Sequence, residues 1–164
     1  RRGPLGIVGA SSARASMPGL ATGHISDRQI VAIQAALAQL GEEGRFRVLL
    51  IHHPPEKDVV DWHQRLVASE RLRSAVKRAG CELILHGHTH IASVGKIDGP
   101  NEPVPVVGVP SASNAPGGKR HPAAAFNLYE IDGKAGVYRC TMRSFGYTEL
   151  TKPISLLGER QLSG

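Results

Sequence analysis

Val48-Leu49-Leu50-Ile51-His52-His53-Pro54-Pro55, residues 48–55, is the stretch of sequence that decides the fold. Its four apolar residues stand between charged residues and prolines, which is typical of a buried strand in a parallel or mixed sheet. Leu83-Ile84-Leu85 is the next such strand, and the residues between the two predict a helix from about Ser69 to Ala79. A strand, a helix and a strand with short connections form a βαβ unit, so this part of the chain is predicted to be α/β.

The sequence before this unit predicts one more strand and one more helix. Residues 5–10 are an apolar run followed by two serines, as expected of a buried strand and its loop. Ser26 has Gln29 three residues after it, which is a capping-box pattern that opens a helix. Apolar residues recur at helical spacing after that cap and stop at a glycine: Ile30, Ile33, Leu37, Leu40 and Gly41.

The last third of the sequence has the character of antiparallel β-structure. Segments 103–109, 123–131 and 135–145 are predicted strands separated by clusters of Gly, Pro and Asn. In the third segment apolar and charged residues alternate, which indicates an antiparallel strand with one exposed face. The segment after Pro153 is expected to be a loosely held tail. We therefore expect one unit over residues 1–150 and a tail over residues 151–164.

Composition predicts a globular protein and excludes several other classes. Hydrophobic residues make up 41% and charged residues 21% of the 164 residues, and no apolar run is long enough to cross a bilayer. A net charge of +6 suits phosphate esters and nucleic acid alike, although aromatics at 4% leave few rings on which bases could stack. Cys81 and Cys140 favour two buried, reduced thiols in a cytoplasmic protein over a disulfide. Arg1 leads directly into an apolar stretch, so we expect an internal piece of a longer protein.

Two histidine clusters follow two of the predicted strands. His52-His53-Pro54-Pro55 comes directly after Val48–Ile51, and Gly87-His88-Thr89-His90 comes almost directly after Leu83–Leu85. Ligand sites of α/β sheets lie beyond the carboxyl ends of the strands, so these imidazoles are predicted to share one rim of one sheet. Imidazole is the commonest ligand of zinc, iron and similar metals. The two clusters together therefore predict a metal site at this rim.

The residues around the histidines fit tight turns at the strand ends. If the second strand turns at Gly87, His88 and His90 can reach two metal ions roughly 3.5–4 Å apart. Gly87 is expected to allow a close approach or an unusual torsion that a side chain would block. Pro54 favours an extended His53 and ends the sheet pairing, which holds His52 at the strand end.

The two motifs, in this order, resemble the second half of the calcineurin-like metallophosphoesterase family. The resemblance is clearest over residues 48–90 and extends from about residue 5 to residue 145. It implies part of a four-layered α/β/β/α sandwich with mixed sheets, residues 1–150 being the C-terminal portion of that domain. It also implies a dinuclear centre of Mn, Fe or Zn ions, with His52 and His88 as ligands of one ion and His90 as a ligand of the other.

The sequence departs from the family pattern in its acidic motifs. The family begins with Asp-x-His, Gly-Asp and Gly-Asn-His motifs, and none of them occurs here in its expected context. Asp61-Trp62-His63 has the letters of the first motif, but it follows a proline turn and precedes a helix. Three neutral imidazoles offset the charge of two dications poorly. We therefore expect the missing N-terminal half of the same domain, or a partner chain, to supply the carboxylates.

Several other residues have two readings each. His53, His86 and Gly87 are candidates for support of the ligands, although His86 is also consistent with a satisfied core histidine. Trp62 and His63 are candidates for a lid over substrate or for a packed loop anchor. His24 is favoured as a surface residue, although it could approach the rim, and Ser111 and Ser113 are favoured as ordinary loop residues. Lys119, Arg120 and His121 are favoured as a solvated basic loop, with phosphate binding as the alternative.

The leading hypothesis is metal-dependent hydrolysis of phosphate monoesters or diesters, with this chain supplying the C-terminal half of the site. One alternative is an inactive fragment, or half of a split protein, that binds metal and needs a partner segment. Another is a nucleic-acid-processing phosphoesterase, which would need a basic groove. The expected partners are a phosphate-ester substrate and the missing half, with no membrane. Self-association is a further expectation, because an isolated half leaves a sheet edge open.

Overall fold

The computed structural model describes residues 3–15, 19, 21–57, 59–115, 122–149 and 151–163. Five strands form the larger sheet: β1 (Leu5–Ala10), β3 (Phe46–Ile51), β5 (Leu83–His86), β6 (Ser93–Ile97) and β7 (Val104–Gly108). Their order across the sheet is β1-β3-β5-β7-β6. The first four are parallel neighbours, and β6 pairs antiparallel with β7. The carboxyl ends of the parallel strands therefore form one common rim.

Two helices cover one face of this sheet. Helix α1 (Asp27–Glu42) begins at the predicted capping box, in which Ser26 and Gln29 cap each other's backbone N–H groups. Helix α2 (Ser69–Ala79) has the predicted bounds, and it ends at Gly80, which has a positive φ. It connects β3 to the parallel β5, so the βαβ unit is confirmed. Burial of the apolar stripes of both helices against the sheet forms the larger core, which includes Ile33, Leu37, Leu49, Leu72, Val76 and Ile84.

A smaller antiparallel sheet covers part of the opposite face. It consists of β8 (Ala125–Lys134), β9 (Val137–Gly146) and β10 (Ser155–Ser163), in the order β10-β9-β8. Alternation along β9 turns Cys140 and Met142 inward, where they pack on the first sheet. The second core lies between the two sheets and contains Phe46, Val48, Leu83, Val107, Cys140 and Met142.

Two short elements lie over the rim that ends the parallel strands. Strands β2 (Gly23–His24) and β4 (Leu66–Val67) pair with each other in parallel. One turn of 3-10 helix, Trp62–Gln64, immediately precedes β4. Backbone hydrogen bonds from Ala21 to His63 and from Gly23 to Arg65 join the two segments. Together they form a wall along one side of two turns, one carrying His52 and His53 and the other carrying His88 and His90. We call these two the histidine turns.

The α/β fold is confirmed, and the described residues form three layers, which are helices, mixed sheet and antiparallel sheet. The expectation of a loosely held tail is corrected, because residues 155–163 pair with β9 across two register shifts. Strand β6 was not predicted, since its sequence Ser-Val-Gly-Lys-Ile has little strand pattern. Cys81 and Cys140 are both buried and free, as expected. No helix within the described ranges is long and apolar enough to span a membrane.

Candidate metal centre

The two histidine turns meet at the carboxyl ends of β3 and β5. Both strands stop at the rim, β3 at Ile51 and β5 at His86, and these two residues are register partners. The backbone N–H of Gly87 donates to the carbonyl of His52 at 3.1 Å, which joins the two turns beyond the sheet. Adjacent parallel strands thus bring together side chains that are more than thirty positions apart in the sequence.

Three imidazoles form a cluster at this junction. His52, His53 and His88 each offer a ring nitrogen within 4.8 Å of the others. The ring centroids are 5.2 Å apart for His52 and His88, 4.9 Å for His52 and His53, and 4.3 Å for His53 and His88. His52 is exposed at the rim, His88 is half-buried and His53 is buried. Such a group of neutral imidazoles is a possible site for a divalent metal ion.

His88 is neutral, and its Nε2 has a lone pair that is available to bind a cation. Its Nε2 is buried and has no hydrogen-bond partner within the described part of the chain. The ring also hydrogen-bonds to the backbone of Gln64, which therefore engages the other nitrogen. Burial, followed by the neighbouring His52, lowers the pKa of His88, so its imidazole stays neutral at pH 7. A buried nitrogen without a partner is costly unless a ligand uses it.

The second turn stores backbone strain. His88 has φ 67° and His90 has φ 56°, so two non-glycine residues lie in the left-handed region. Thr89 donates its N–H to the Gly87 carbonyl at 2.8 Å between them. The expected conformational role of Gly87 is corrected, because Gly87 is not among the glycines with positive φ. A Cβ there would meet the His52 ring at 3.6 Å, which is ordinary contact.

The structure assembles part of the ligand set expected from the sequence. His52 and His88 lie together, but the third member of the cluster is His53 and not His90. His90 is exposed, yet it lies close enough to His88 for its charge to lower the pKa of that histidine. Its assignment as a ligand of a second ion stays a prediction.

His53 is held from several sides by a loop that sequence reasoning left without a role. Its Nδ1 lies 2.9 Å from the hydroxyl of Ser12, and its Nε2 lies 3.1 Å from the carbonyl of Ala21. Its backbone N–H also donates to the Ser12 hydroxyl at 3.3 Å. Burial is the main reason that the pKa of His53 falls to about 4. Ser12 carries no sequence signal for this contact, because 41 positions separate it from His53.

His86 is buried under the second turn. Its Nδ1 lies 3.0 Å from the Gly87 carbonyl oxygen, which can only accept, so Nδ1 carries the proton. The other ring nitrogen faces the Ser93 hydroxyl at 3.5 Å and a carboxylate oxygen of Glu56 at 3.8 Å. Burial raises the pKa of that carboxyl and lowers the pKa of His86. His86 is thus a partnered core histidine that also touches the turn carrying His88.

The predicted substrate-side residues lie in the wall beside the cluster. Trp62 is 67% exposed, and its ring meets that of His63 edge to face with centroids 6.0 Å apart. The turn is anchored by its backbone, since Gln64 bonds to His88 and the Trp62 carbonyl accepts from Arg65. Asp61 is exposed and is not part of the three-histidine cluster. Lys119, Arg120 and His121 lie outside the described residues.

Three solved structures allow the fold to be compared. A dimetal phosphatase from Danio rerio matches with a TM-score of 0.63 at 14% identity, over 86% of this chain and 39% of its own. Zinc-complexed Vps29 from Entamoeba histolytica matches with a TM-score of 0.40 at 11% identity, over 96% and 99% of the two chains. A double mutant of that Vps29 gives 0.40 at 13% identity, over 87% and 83%. No protein-family model and no curated protein sequence matches this chain.

The likeness to the Danio rerio phosphatase defines the class of fold. This chain is an α/β protein whose fold is similar to part of that dimetal phosphatase, and a histidine cluster lies at its carboxyl-end rim. It spans about two-fifths of the length of that phosphatase.

Proposed function

We propose that this chain carries the histidine half of a dinuclear metal centre that hydrolyses phosphate monoesters or diesters. The observation that carries the proposal is the junction of two strand ends where His52 meets His88, whose buried Nε2 has no partner among the described residues. The Danio rerio protein that shares the fold is a dimetal phosphatase, which supports the same class of reaction here.

The donor set fits divalent transition metals. Neutral imidazole nitrogens suit Zn, Fe and Mn, and the lowered pKa of His88 keeps its lone pair available at neutral pH. Bound metal would supply positive charge that polarises a phosphoryl oxygen and stabilises the charge developing on it. On this proposal His52 and His88 bind one ion and His90 binds another. His86 holds the Gly87 carbonyl and so fixes the turn that carries His88 and His90.

The wall next to the cluster is the proposed substrate side. Trp62 presents an exposed indole from a turn whose backbone is fixed to both His88 and Arg65. A rigid, exposed aromatic of this kind is well suited to contact the organic part of a phosphate ester. His63 packs edge to face against that indole and completes the surface.

The carboxylates of the complete centre are proposed to come from the missing half of the domain or from a partner chain. The first sheet offers it a docking surface, which we call the open corner and which consists of Ile7, Leu50 and Leu85. Ile7 on edge strand β1 is 51% exposed and Leu50 is 39% exposed, although both belong to the face that the second sheet covers elsewhere. Additional strands paired with β1 would bring side chains to the rim beside His52, and additional strands of the second layer would bury the open corner.

A metal-binding half without catalysis is the second candidate function. The three-residue cluster contains no carboxylate within the described part of the chain. A centre of imidazoles alone lacks the anionic bridge that two dications need. Self-association through the open corner would bury apolar surface without adding carboxylates, and it belongs to this second candidate.

The test combines metal content with hydrolysis. The purified chain is dialysed against Zn²⁺ or Mn²⁺, and its metal content is measured for the unchanged chain, His52→Ala, His88→Ala and the control His24→Ala. We expect metal to be lost in the first two variants and retained in the control. Equal metal content in all four would contradict the proposal.

Hydrolysis of an aryl phosphomonoester and an aryl phosphodiester is then measured with Mn²⁺ and with a chelator. Chelator-sensitive activity that is absent in His88→Ala would support a complete site. Bound metal without hydrolysis would support the second candidate and a required partner segment.

A further inference from the structure

The third histidine of the cluster differs from its two neighbours in how its ring is held. His53 is 4% exposed, and its ring centroid lies within 5 Å of both His52 and His88. Distance alone would make it the third ligand of a metal ion. The hydrogen bonds around the ring lead to a different assignment.

The proton positions on His53 follow from its partners. The Ala21 carbonyl can only accept, so Nε2 carries the ring proton and donates it across 3.1 Å. In a neutral ring Nδ1 then holds the only lone pair, and it faces the Ser12 hydroxyl at 2.9 Å. Ser12 donates its proton to that nitrogen while its oxygen accepts the His53 backbone N–H. Both ring nitrogens are therefore in use.

Ser12 and residues 21–24 fit closely around this ring. Ser12 is 1% exposed, and its carbonyl accepts the backbone N–H of His24. A Cβ on Gly23 would come within 2.4 Å of the His53 ring, so any other residue at position 23 would clash with the ring. Gly23 itself is tied to the wall through its N–H bond to Arg65. The ring is therefore enclosed by Ser12, Ala21 and Gly23.

We propose that His53 is a positioning residue: it couples Ser12 and Ala21 to the paired candidate ligands His52 and His88 and does not itself bind the metal. The inference rests on the proposed function only in taking His52 and His88 as ligands. To bind a cation, His53 Nδ1 would have to release the Ser12 hydroxyl, whose buried O–H would then lose the acceptor to which it donates. His88 has no such obstacle, since its Nε2 is already without a partner in the described structure.

The two assignments predict opposite effects of the Ser12 hydroxyl. If His53 positions its neighbours, Ser12→Ala loosens the ring and weakens metal binding, roughly tenfold by analogy with other groups that orient metal ligands. If His53 is a ligand, Ser12→Ala frees its lone pair and tightens metal binding. Ser12→Thr keeps the hydroxyl and is expected to restore binding, whereas Ser11→Ala changes an exposed neighbouring serine and serves as the matched control.

The experiment follows the imidazole nitrogens by NMR on the full chain, first without metal and then during titration with Zn²⁺. Without metal we expect His53 in the Nε2–H form, and we expect Ser12→Ala to shift the ring signals of His52 and His88 while Ser11→Ala does not. Unchanged His52 and His88 signals in Ser12→Ala would overturn the inference. With Zn²⁺ the His52 and His88 nitrogens should shift and His53 Nδ1 should keep its hydrogen-bonded signal.

The outcomes separate this inference from the proposed function. A His53 Nδ1 signal that moves to a metal-bound position together with His88 would make His53 a ligand and overturn the positioning role. Zn²⁺ that moves none of the three rings would contradict the proposed function. The metal-free comparison of Ser12→Ala with Ser11→Ala would still decide whether His53 orients its neighbours.

Discussion

The two ends of the five-stranded sheet are built from the same strands and differ in how completely their polar groups are satisfied. At the amino end Arg47 binds both carboxylate oxygens of Glu82 and also donates to the Ala79 carbonyl at 2.7 Å. The hydrogen bond to Glu82 raises the pKa of Arg47 further. At the carboxyl end the buried Nε2 of His88 lacks a partner in the described structure, and two histidines have positive φ.

The difference separates the residues that hold the fold from those that are available for chemistry. The amino end fills its hydrogen bonds internally, and Gly41 and Gly80 leave room for the Arg47 guanidinium, since a Cβ on either would approach it to 2.6 Å. The carboxyl end keeps strain and a free lone pair, which natural structures retain mainly at functional sites. Stability should therefore be most sensitive to changes at the amino end, and metal binding to changes at the carboxyl end.

The largest expected effect on stability comes from Arg47→Ala. It removes the guanidinium from the half-buried Glu82 carboxylate, which keeps only the backbone N–H of residue 47, and from the Ala79 carbonyl. We expect the free energy of unfolding to fall by about 3 kcal/mol, measured by urea denaturation. Arg71→Ala is the matched control, because its ion pair with Asp27 is exposed and should cost less than about 1 kcal/mol. If both variants lose the same free energy of unfolding, the Arg47 contacts at the amino end do not stabilise the fold more than an exposed ion pair does.

The metal-free chain should lose stability in mild acid because of its carboxyl end. His53 has a folded-state pKa of about 4, below its ordinary 6.5, so the unfolded chain binds more protons between these values. The contribution of His53 to the free energy of unfolding is therefore complete above pH 6.5. It decreases by about 2 kcal/mol as the pH drops toward 4. His86 and His88 have pKa shifts in the same direction and add to the slope.

The pH effect can be assigned with one variant. His53→Asn removes the titrating ring, so its unfolding free energy should depend less on pH between 4 and 6.5 than that of the unchanged chain. Parallel curves for the two proteins would show that the slope has another origin.

A smaller effect is expected from the backbone of His90. Its φ of 56° is accessible to glycine without steric cost, whereas alanine there is strained. His90→Gly should therefore be more stable than His90→Ala by about 1 kcal/mol in the metal-free chain. Both variants remove the imidazole, so the comparison isolates the torsion. If the alanine variant is as stable as the glycine variant, this turn is not strained.

Much of the fold could be predicted because its signals are local. The capping box at Ser26 and the glycine after Ala79 are short-range patterns, and both fix helix ends. Strand β10 could not be predicted, since Ser155–Ser163 lacks clean alternation and pairs with β9 through two register shifts. Its position depends on a neighbouring strand that is already in place, which a local pattern does not encode.

The site could be predicted only in part, for the same reason. The strand-end rule places His52 and His88 on one rim because both follow buried parallel strands. It does not reveal that Ser12 lies at that rim and engages His53. The sequence also did not predict the positive φ values of His88 and His90. An unusual torsion was expected at Gly87, because glycine adopts such torsions without steric cost.

The smallest expected effect concerns the wall beside the carboxyl end. Trp62 is the only tryptophan of the chain and is 67% exposed, so its fluorescence reports on that wall alone. If the indole contacts the organic part of a substrate, phenyl phosphate should shift its emission to shorter wavelength in the Zn²⁺-loaded chain by excluding water. Inorganic phosphate would occupy the metals without covering the indole and should leave the emission maximum unchanged. The same shift with both ligands would indicate a movement of the whole wall and would remove Trp62 from the substrate side.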